Sequence, residues 1–316
     1  MATGALPIAC LAIALHISRL PAVPSGAAAG RAAIDGIAIA VANMDRAVEF
    51  YATVLSFSKV SDTAIPDAGT AGERGSAPTR PPRVVRMRLG SELIELAEHA
   101  GGRGGPIPDG LPDDGFQGLA IVVNDIEQAY LWLRRHKVRN LSPVHQRAGA
   151  PGIRVVSFRD TDGHPLEIVQ FAPGQGQPRW QSESDSVFLG IDHIALAVAD
   201  ARTAAGFYQD TFGMGVVAQS GDRITLRAGS GPDIELIEHL TGRAGQGPRA
   251  DTRADRLARS PAILIATSVP PPARPSAVSR WLGLPGKAAI PEAAAREGSV
   301  LRDPDGHAVH VRPSFS

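Results

Sequence analysis

Ile191-Asp192-His193-Ile194-Ala195-Leu196-Ala197-Val198-Ala199 repeats an earlier stretch, Ile34-Asp35-Gly36-Ile37-Ala38-Ile39-Ala40-Val41-Ala42, which lies 157 residues upstream. Each copy alternates large apolar and small residues, the period of a β-strand with two unlike faces. A short turn follows (Asn43-Met44-Asp45 or Asp200-Ala201-Arg202), then an amphipathic helical pattern bearing Phe50-Tyr51 or Phe207-Tyr208 at the same offset. Two further pairs extend the repeat. Leu93-Ile94-Glu95-Leu96-Ala97-Glu98-His99 returns as Asp233-Ile234-Glu235-Leu236-Ile237-Glu238-His239, and Arg159-Asp160-Thr161-Asp162-Gly163-His164 returns as Arg302-Asp303-Pro304-Asp305-Gly306-His307. In the last pair Asp and Gly supply a tight turn, and a strand follows.

These fragments assemble into a unit of strand, helix and about three strands, and four such units fit the chain. The first runs from about Ile34 to His99. The second opens at Gly118-Leu119-Ala120-Ile121-Val122-Val123, has a helix near Ile126 to His136, and closes at Pro165-Leu166-Glu167-Ile168-Val169-Gln170-Phe171. The third runs from about Gly190 to His239. The fourth opens at Ala262-Ile263-Leu264-Ile265-Ala266 and closes at Ala308-Val309-His310-Val311-Arg312. Pro270-Pro271-Pro272 resists a helix in the fourth unit, which reads as degenerate. The Gly-, Pro-, Gln- and Ser-rich stretch after Ala172 reads as a linker. The expected organisation is an extension over 1–31, an N-terminal domain of two modules over 32–172, a linker over 173–188, and a C-terminal domain of two modules over 189–316.

The 316 residues carry 32 basic and 32 acidic side chains, so no basic excess points to nucleic acid. No apolar run reaches the roughly 18 residues of a membrane span. Ala5 to Ile17 is a shorter apolar run, and Ala27-Ala28-Ala29 offers a small-residue cleavage pattern. Together they predict an export leader and a periplasmic or secreted protein. No Lys or Arg precedes the run and Pro7 and His16 interrupt it, so an uncleaved extension and a cytoplasmic location are the alternative. The single cysteine, Cys10, lies in this extension, which leaves any metal to His and carboxylate groups.

The Ile-Asp-His-Ile-Ala-Leu-Ala-Val strand, the helix with Phe207-Tyr208, the Ile-Glu-Leu strands and the Asp-Pro-Asp-Gly-His turn resemble the vicinal oxygen chelate superfamily. That superfamily includes glyoxalase I, the extradiol dioxygenases and the bleomycin-resistance proteins. The resemblance covers nearly all of residues 34–312. It implies an α+β fold of four βαβββ modules, paired into two domains whose mixed sheets curl into cups. It also implies that metal ligands, where present, come from the first and last strands of each module.

Read at those positions, the N-terminal pair offers Gly36, Gly118, Glu95 and Glu167, a poor transition-metal set, so that Glu95 and Glu167 either line a metal-free cup, where they contact substrate, or are solvated. The C-terminal pair offers His193, Glu235 and His310, with Ala262 at the fourth position. Two imidazoles and one carboxylate have the composition of a facial triad with open coordination positions. Strand alternation puts each of the three opposite the more apolar face of its strand. The expected cofactor is Fe(II), Mn(II), Zn(II) or Ni(II), with Arg312 on the face of His310 to receive an anionic group. The ligand order departs from that of the ring-cleaving dioxygenases, and glyoxalase I fills all four positions.

Two functions stay open. One is a divalent-metal-dependent enzyme acting on a small substrate with vicinal oxygens, by dioxygenase or by lyase or isomerase chemistry. The other is a metal-free protein that binds or sequesters a small molecule. A homodimer is a candidate assembly. Tyr51, Tyr208, His164 and His307 read as structural, and His99 and His239 as surface residues.

Overall fold

The computed structural model describes residues 32–64, 83–98, 116–182, 184–238, 262–267 and 299–313, with the backbone alone at 116, 117, 262, 266, 267, 299, 312 and 313. The N-terminal residues 1–31 with the expected export leader and Cys10, and also His99, His239 and the triple proline, lie outside the described residues. Among the described residues no helix is long and apolar enough to cross a membrane.

The first module comprises β1 (Ala32–Val41), α1 (Met44–Glu49) continued by a π-helical turn (Phe50–Val54), β2 (Ser58–Ala64), β3 (Arg83–Leu89) and β4 (Glu92–Glu98). The second has β5 (Phe116–Val123), α2 (Ile126–Arg135), β6 (His145–Gln146), β7 (Arg154–Arg159) and β8 (Pro165–Gln170). The third has β9 (Phe188–Val198), α3 (Ala201–Phe212), β10 (Gly215–Ser220), β11 (Arg223–Arg227) and β12 (Asp233–Glu238). The fourth contributes β13 (Ala262–Thr267), β14 (Ser299–Arg302) and β15 (Ala308–Pro313). Each helix starts on the same device. Asn43, Asp125 and Asp200 cap α1, α2 and α3 by accepting from the backbone N–H three residues on. Gly213, in the left-handed region, ends α3.

The strands form two mixed sheets, of seven strands (β14-β15-β13-β1-β4-β3-β2) and eight strands (β10-β11-β12-β9-β5-β8-β7-β6). Within each module the first strand pairs in parallel with the last, as β1 with β4 and β9 with β12. Between modules the two first strands pair antiparallel at the sheet centre, β1 with β13 and β5 with β9. Module 1 therefore shares a sheet with module 4, and module 2 with module 3. This corrects the pairing of sequence neighbours into separate sheets. The physical reason is the short connection after β8, which passes through a 3-10 turn (Pro178–Gln181) and delivers β9 to the free edge of β5.

Sequence neighbours are joined by clasps instead. The turn after β7 buries Asp160, whose Oδ2 accepts from Tyr51 Oη (3.1 Å) and His164 Nδ1 (2.9 Å). Its Oδ1 accepts from the backbone N–H groups of Asp162 and His164. Asp162 reaches the N–H of Ala42 and the guanidinium of Arg46. The same clasp recurs between modules 3 and 4: Tyr208 Oη donates to Asp303 (3.1 Å), His307 pairs with Asp303 (2.7 Å), and Asp305 accepts from Ala199 N–H. The Asp-x-Asp-Gly-His repeat is thus a joint between sheets. One continuous apolar core, including Ile37, Ile39, Leu119, Ile121, Ile194, Leu196 and Val309, runs through both sheets.

Candidate active site

The eight-stranded sheet holds a cleft of about 410 Å³, floored by Gly118, Ala120 and Ala195. Small residues at the centre of a curved sheet leave space where large side chains would fill it. Three strands point polar groups into this space: β8 supplies Glu167, β9 supplies His193 and β12 supplies Glu235. Arg223 enters from β11, Ser157 from β7, and Asn140, His145 and Arg147 from the segment between α2 and β7.

His193 is buried, and a bulge explains its setting. Ala120 opposes His193 and Ile121 opposes Ile191, so Asp192 is the extra residue of β9. The bulge lets neighbouring side chains meet: His193 Nδ1 donates to Asp192 Oδ2 at 3.0 Å. Asp192 is fixed in turn by Trp180 of the 3-10 turn, whose Nε1–H donates to Oδ1 at 2.7 Å. The other ring nitrogen, Nε2, lies 3.5 Å from Glu235 Oε2.

Burial works against a charged imidazole, but the hydrogen bonds to Asp192 and Glu235 outweigh it and raise the His193 pKa to about 10. Burial likewise opposes ionisation of Glu235, and His193, Arg147 and Arg223 overcome it, lowering its pKa to about 2. Asp192 is held below the usual carboxylate range in the same way: burial opposes its charge, and His193, Trp180 and Arg147 outweigh that. At neutral pH the cup therefore contains an imidazolium, with Asp192 behind it and Glu235 in front.

Arg147 lays its guanidinium across two carboxylates. Nη2 pairs with Glu167 Oε1, and Nη1 lies 3.6 Å from Glu235 Oε1. Arg223 Nη1 donates to the other oxygen of Glu235 at 2.7 Å.

The sequence-derived ligand set divides between the sheets. His193 and Glu235 share the eight-stranded cup, but His310 lies on β15 of the seven-stranded sheet, opposite Leu264 of β13. The expected triad of His193, Glu235 and His310 is not brought together, because modules 3 and 4 do not share a sheet. Glu167 joins His193 and Glu235 instead. Glu95 belongs with His310 in the seven-stranded sheet, where it pairs with Arg86 at 3.0 Å. The strand of Arg312 is described but its side chain is not. Gly36, at the position equivalent to His193, has no room for a side chain: a Cβ there would sit 2.4 Å from the Leu93 carbonyl oxygen.

One imidazole and two carboxylates suit a divalent ion by donor type. Yet Arg147 already pairs with Glu167 and lies 3.6 Å from Glu235, which Arg223 also holds, and a guanidinium and a metal compete for the same carboxylate lone pairs. Among the described residues no group of three His, Cys, Asp or Glu is arranged to hold a metal. The residues as placed do not fit a resident ion.

Sequence reading missed Asp192, Trp180, Arg147 and Arg223. The acid beside His193 in Ile-Asp-His was a usable signal for Asp192. Arg147 sits in a loop without periodicity and offered none.

A family model described as "Glyoxalase/Bleomycin resistance protein/Dioxygenase superfamily" matches residues 33–168 and 190–276. The human mitochondrial methylmalonyl-CoA epimerase is 28% identical over 142 residues, covering 43% of this chain and 73% of that protein. Glyoxalase I from Zea mays superposes with a TM-score of 0.59 at 15% identity, covering 89% of this chain and 92% of that one. A proposed dioxygenase from Bacillus subtilis gives 0.58 at 18% identity, with coverage of 91% and 86%. At these identities the two structures show a common fold.

Proposed function

We propose that this chain, which belongs to the glyoxalase/bleomycin resistance protein/dioxygenase superfamily, takes a small, oxygen-rich anion into the eight-stranded cup and polarises its oxygens with His193, Arg147 and Arg223. The observation that carries this reading is geometric: buried His193, with Asp192 at Nδ1 and Glu235 near Nε2, faces a cleft lined by Arg147, Arg159 and Arg223 as well as by Glu167 and Glu235. A cleft of about 410 Å³ suits a small ligand, since such sites span roughly 300–1,000 Å³.

Preorganised cations act most strongly on charge that develops during reaction. An oxygen that gains charge as a neighbouring carbon gives its proton to a carboxylate of the cup, Glu167, would be met by His193 Nε2–H and by the N–H groups of Arg147 and Arg223. Asp192 holds the imidazole in place and keeps it charged. This supports lyase or isomerase chemistry on a substrate with vicinal oxygens. The 28% identity to an epimerase supports the same class. A metal-dependent form of the chemistry would have to recruit Glu167, His193 and Glu235 and displace Arg147. A protein that only sequesters its ligand would use the same cations without turnover.

The test is NMR-detected binding of small 2-oxo- and 2-hydroxycarboxylates to wild type and His193→Gln in excess chelator. Saturable binding to wild type, lost in the variant, is the expected result. Binding that needs added metal, or that survives the substitution, overturns the reading. Deuterium uptake at the carbon beside the ligand carbonyl separates an enzyme from a sequestering protein. Export is proposed on residues 5–17 and 27–29 alone, and N-terminal sequencing of protein recovered outside the cytoplasm tests it.

A further inference from the structure

We propose that Arg147 is a built-in cation that takes the place of a divalent ion, so that the cup as it stands excludes metal and admits one only when the Arg147 charge is removed. The inference deepens the reading of the cup given above and rests on that assignment of the site.

Glu167, His193 and Glu235 sit on β8, β9 and β12 and line one cleft. Two carboxylates facing a shared space repel each other unless a cation lies between them. Arg147 supplies it, with one nitrogen on each carboxylate. Its planar fork suits such bridging better than a point charge would. The loop that carries it is constrained to present it. Arg147 N–H donates to Ile153 O at 2.8 Å, Ala150 N–H returns to Arg147 O at 3.2 Å, and Gly149 and Gly152 take the left-handed backbone the turn needs. The side chain is only 16% exposed, so it is held within the cleft that it lines.

Withdrawal of this one charge changes the balance. Glu167 loses its Arg147 guanidinium, and Glu235 keeps Arg223 and His193 among the described residues. Without the Arg147 charge, Glu167, Glu235 and His193 would be the residues to hold a divalent ion, and His193 would release its Nε2 proton to solvent on binding it. Asp192, already bonded to Nδ1, is the outer partner that a ligating histidine requires. The seven-stranded cup cannot do the same at the equivalent first-strand position, because Gly36 admits no side chain.

The experiment is equilibrium dialysis of full-length wild type, Arg147→Gln and Arg147→Ala against Co(II) and Zn(II), with the visible Co(II) spectrum recorded. Arg147→Gln keeps most of the side-chain bulk, and circular dichroism confirms that each variant is folded. The expected result is at least about a tenfold gain in affinity, or 1.4 kcal/mol, with a ligand-field band that His193→Ala abolishes in the Arg147→Gln background. A wild type that already loads metal at His193 overturns the proposal. So does a folded Arg147→Gln that gains no affinity. Anion binding by wild type in chelator is scored separately, so the cup can retain its function while the metal inference fails.

Discussion

His193 Nε2 lies 3.5 Å from Glu235 Oε2, across the parallel pair β9 and β12, while Nδ1 of the same ring holds Asp192 at 3.0 Å. An imidazole with an acid at each nitrogen is a cation at neutral pH, and the first prediction concerns its titration. The His193 pKa is raised from its ordinary value of 6.5 to about 10. The stability it contributes is complete below pH 6.5 and is lost as pH rises through 10. Glu235 titrates the other way: its contribution is complete above pH 4.5 and is lost as pH falls through about 2. Denaturant melts from pH 6 to 10 should show stability falling in wild type. The fall should be much smaller in His193→Gln, and equal slopes would contradict the assignment.

Asp192→Asn removes the charge behind the ring and keeps the side-chain volume. The His193 pKa should drop towards neutrality, read by NMR from the imidazole resonances. Anion binding near pH 8 should weaken by about tenfold or more, since each 1.4 kcal/mol is tenfold. An unchanged His193 titration would show that Asp192 does not position the ring.

The sheet order makes a prediction that separates two histidines equivalent by sequence pattern. His193→Ala should abolish binding in the eight-stranded cup, whereas His310→Ala should leave it within about twofold (roughly 0.4 kcal/mol). Loss of binding in both would restore the triad of His193, Glu235 and His310 and contradict the strand order.

Asp160 and Asp303 each accept a tyrosine hydroxyl, a histidine and two backbone N–H groups while buried. Tyr51→Phe or Tyr208→Phe removes one hydrogen bond to a charged acceptor and should cost about 1.5–3 kcal/mol. Asp160→Ala strands several donors at once and should cost about 3–5 kcal/mol. Chemical denaturation measures both, and neutral effects would show that the clasps do not hold the sheets together.

Much of this fold could be read from the chain. The repeat of Ile34–Ala42 at Ile191–Ala199 carries the strand alternation, and the paired Asp-x-Asp-Gly-His turns mark equivalent places in modules 2 and 4. Alternation put His193, Glu235 and His310 each opposite the more apolar face of its strand, and the resemblance to the superfamily singled out Glu167 as a last-strand position. Which modules share a sheet followed from neither. A repeat says that two segments are alike, while pairing depends on which strand edges the connections bring together, and both arrangements satisfy the same periodicity. The bulge at Asp192 is a departure from strict alternation, so alternation could not place that carboxylate beside His193. Arg147 reaches the site from a turn, where no period constrains side-chain direction.

The central claim is that the eight-stranded cup binds an oxygen-rich anion through an imidazolium and two guanidinium groups of the chain itself. It is tested most directly by following the His193 imidazole by NMR while a small 2-oxocarboxylate is titrated in excess chelator. The account predicts a saturable shift of the His193 resonances with no metal present, suppressed in Arg223→Gln. A His193 signal that stays still until a divalent ion is added would contradict it.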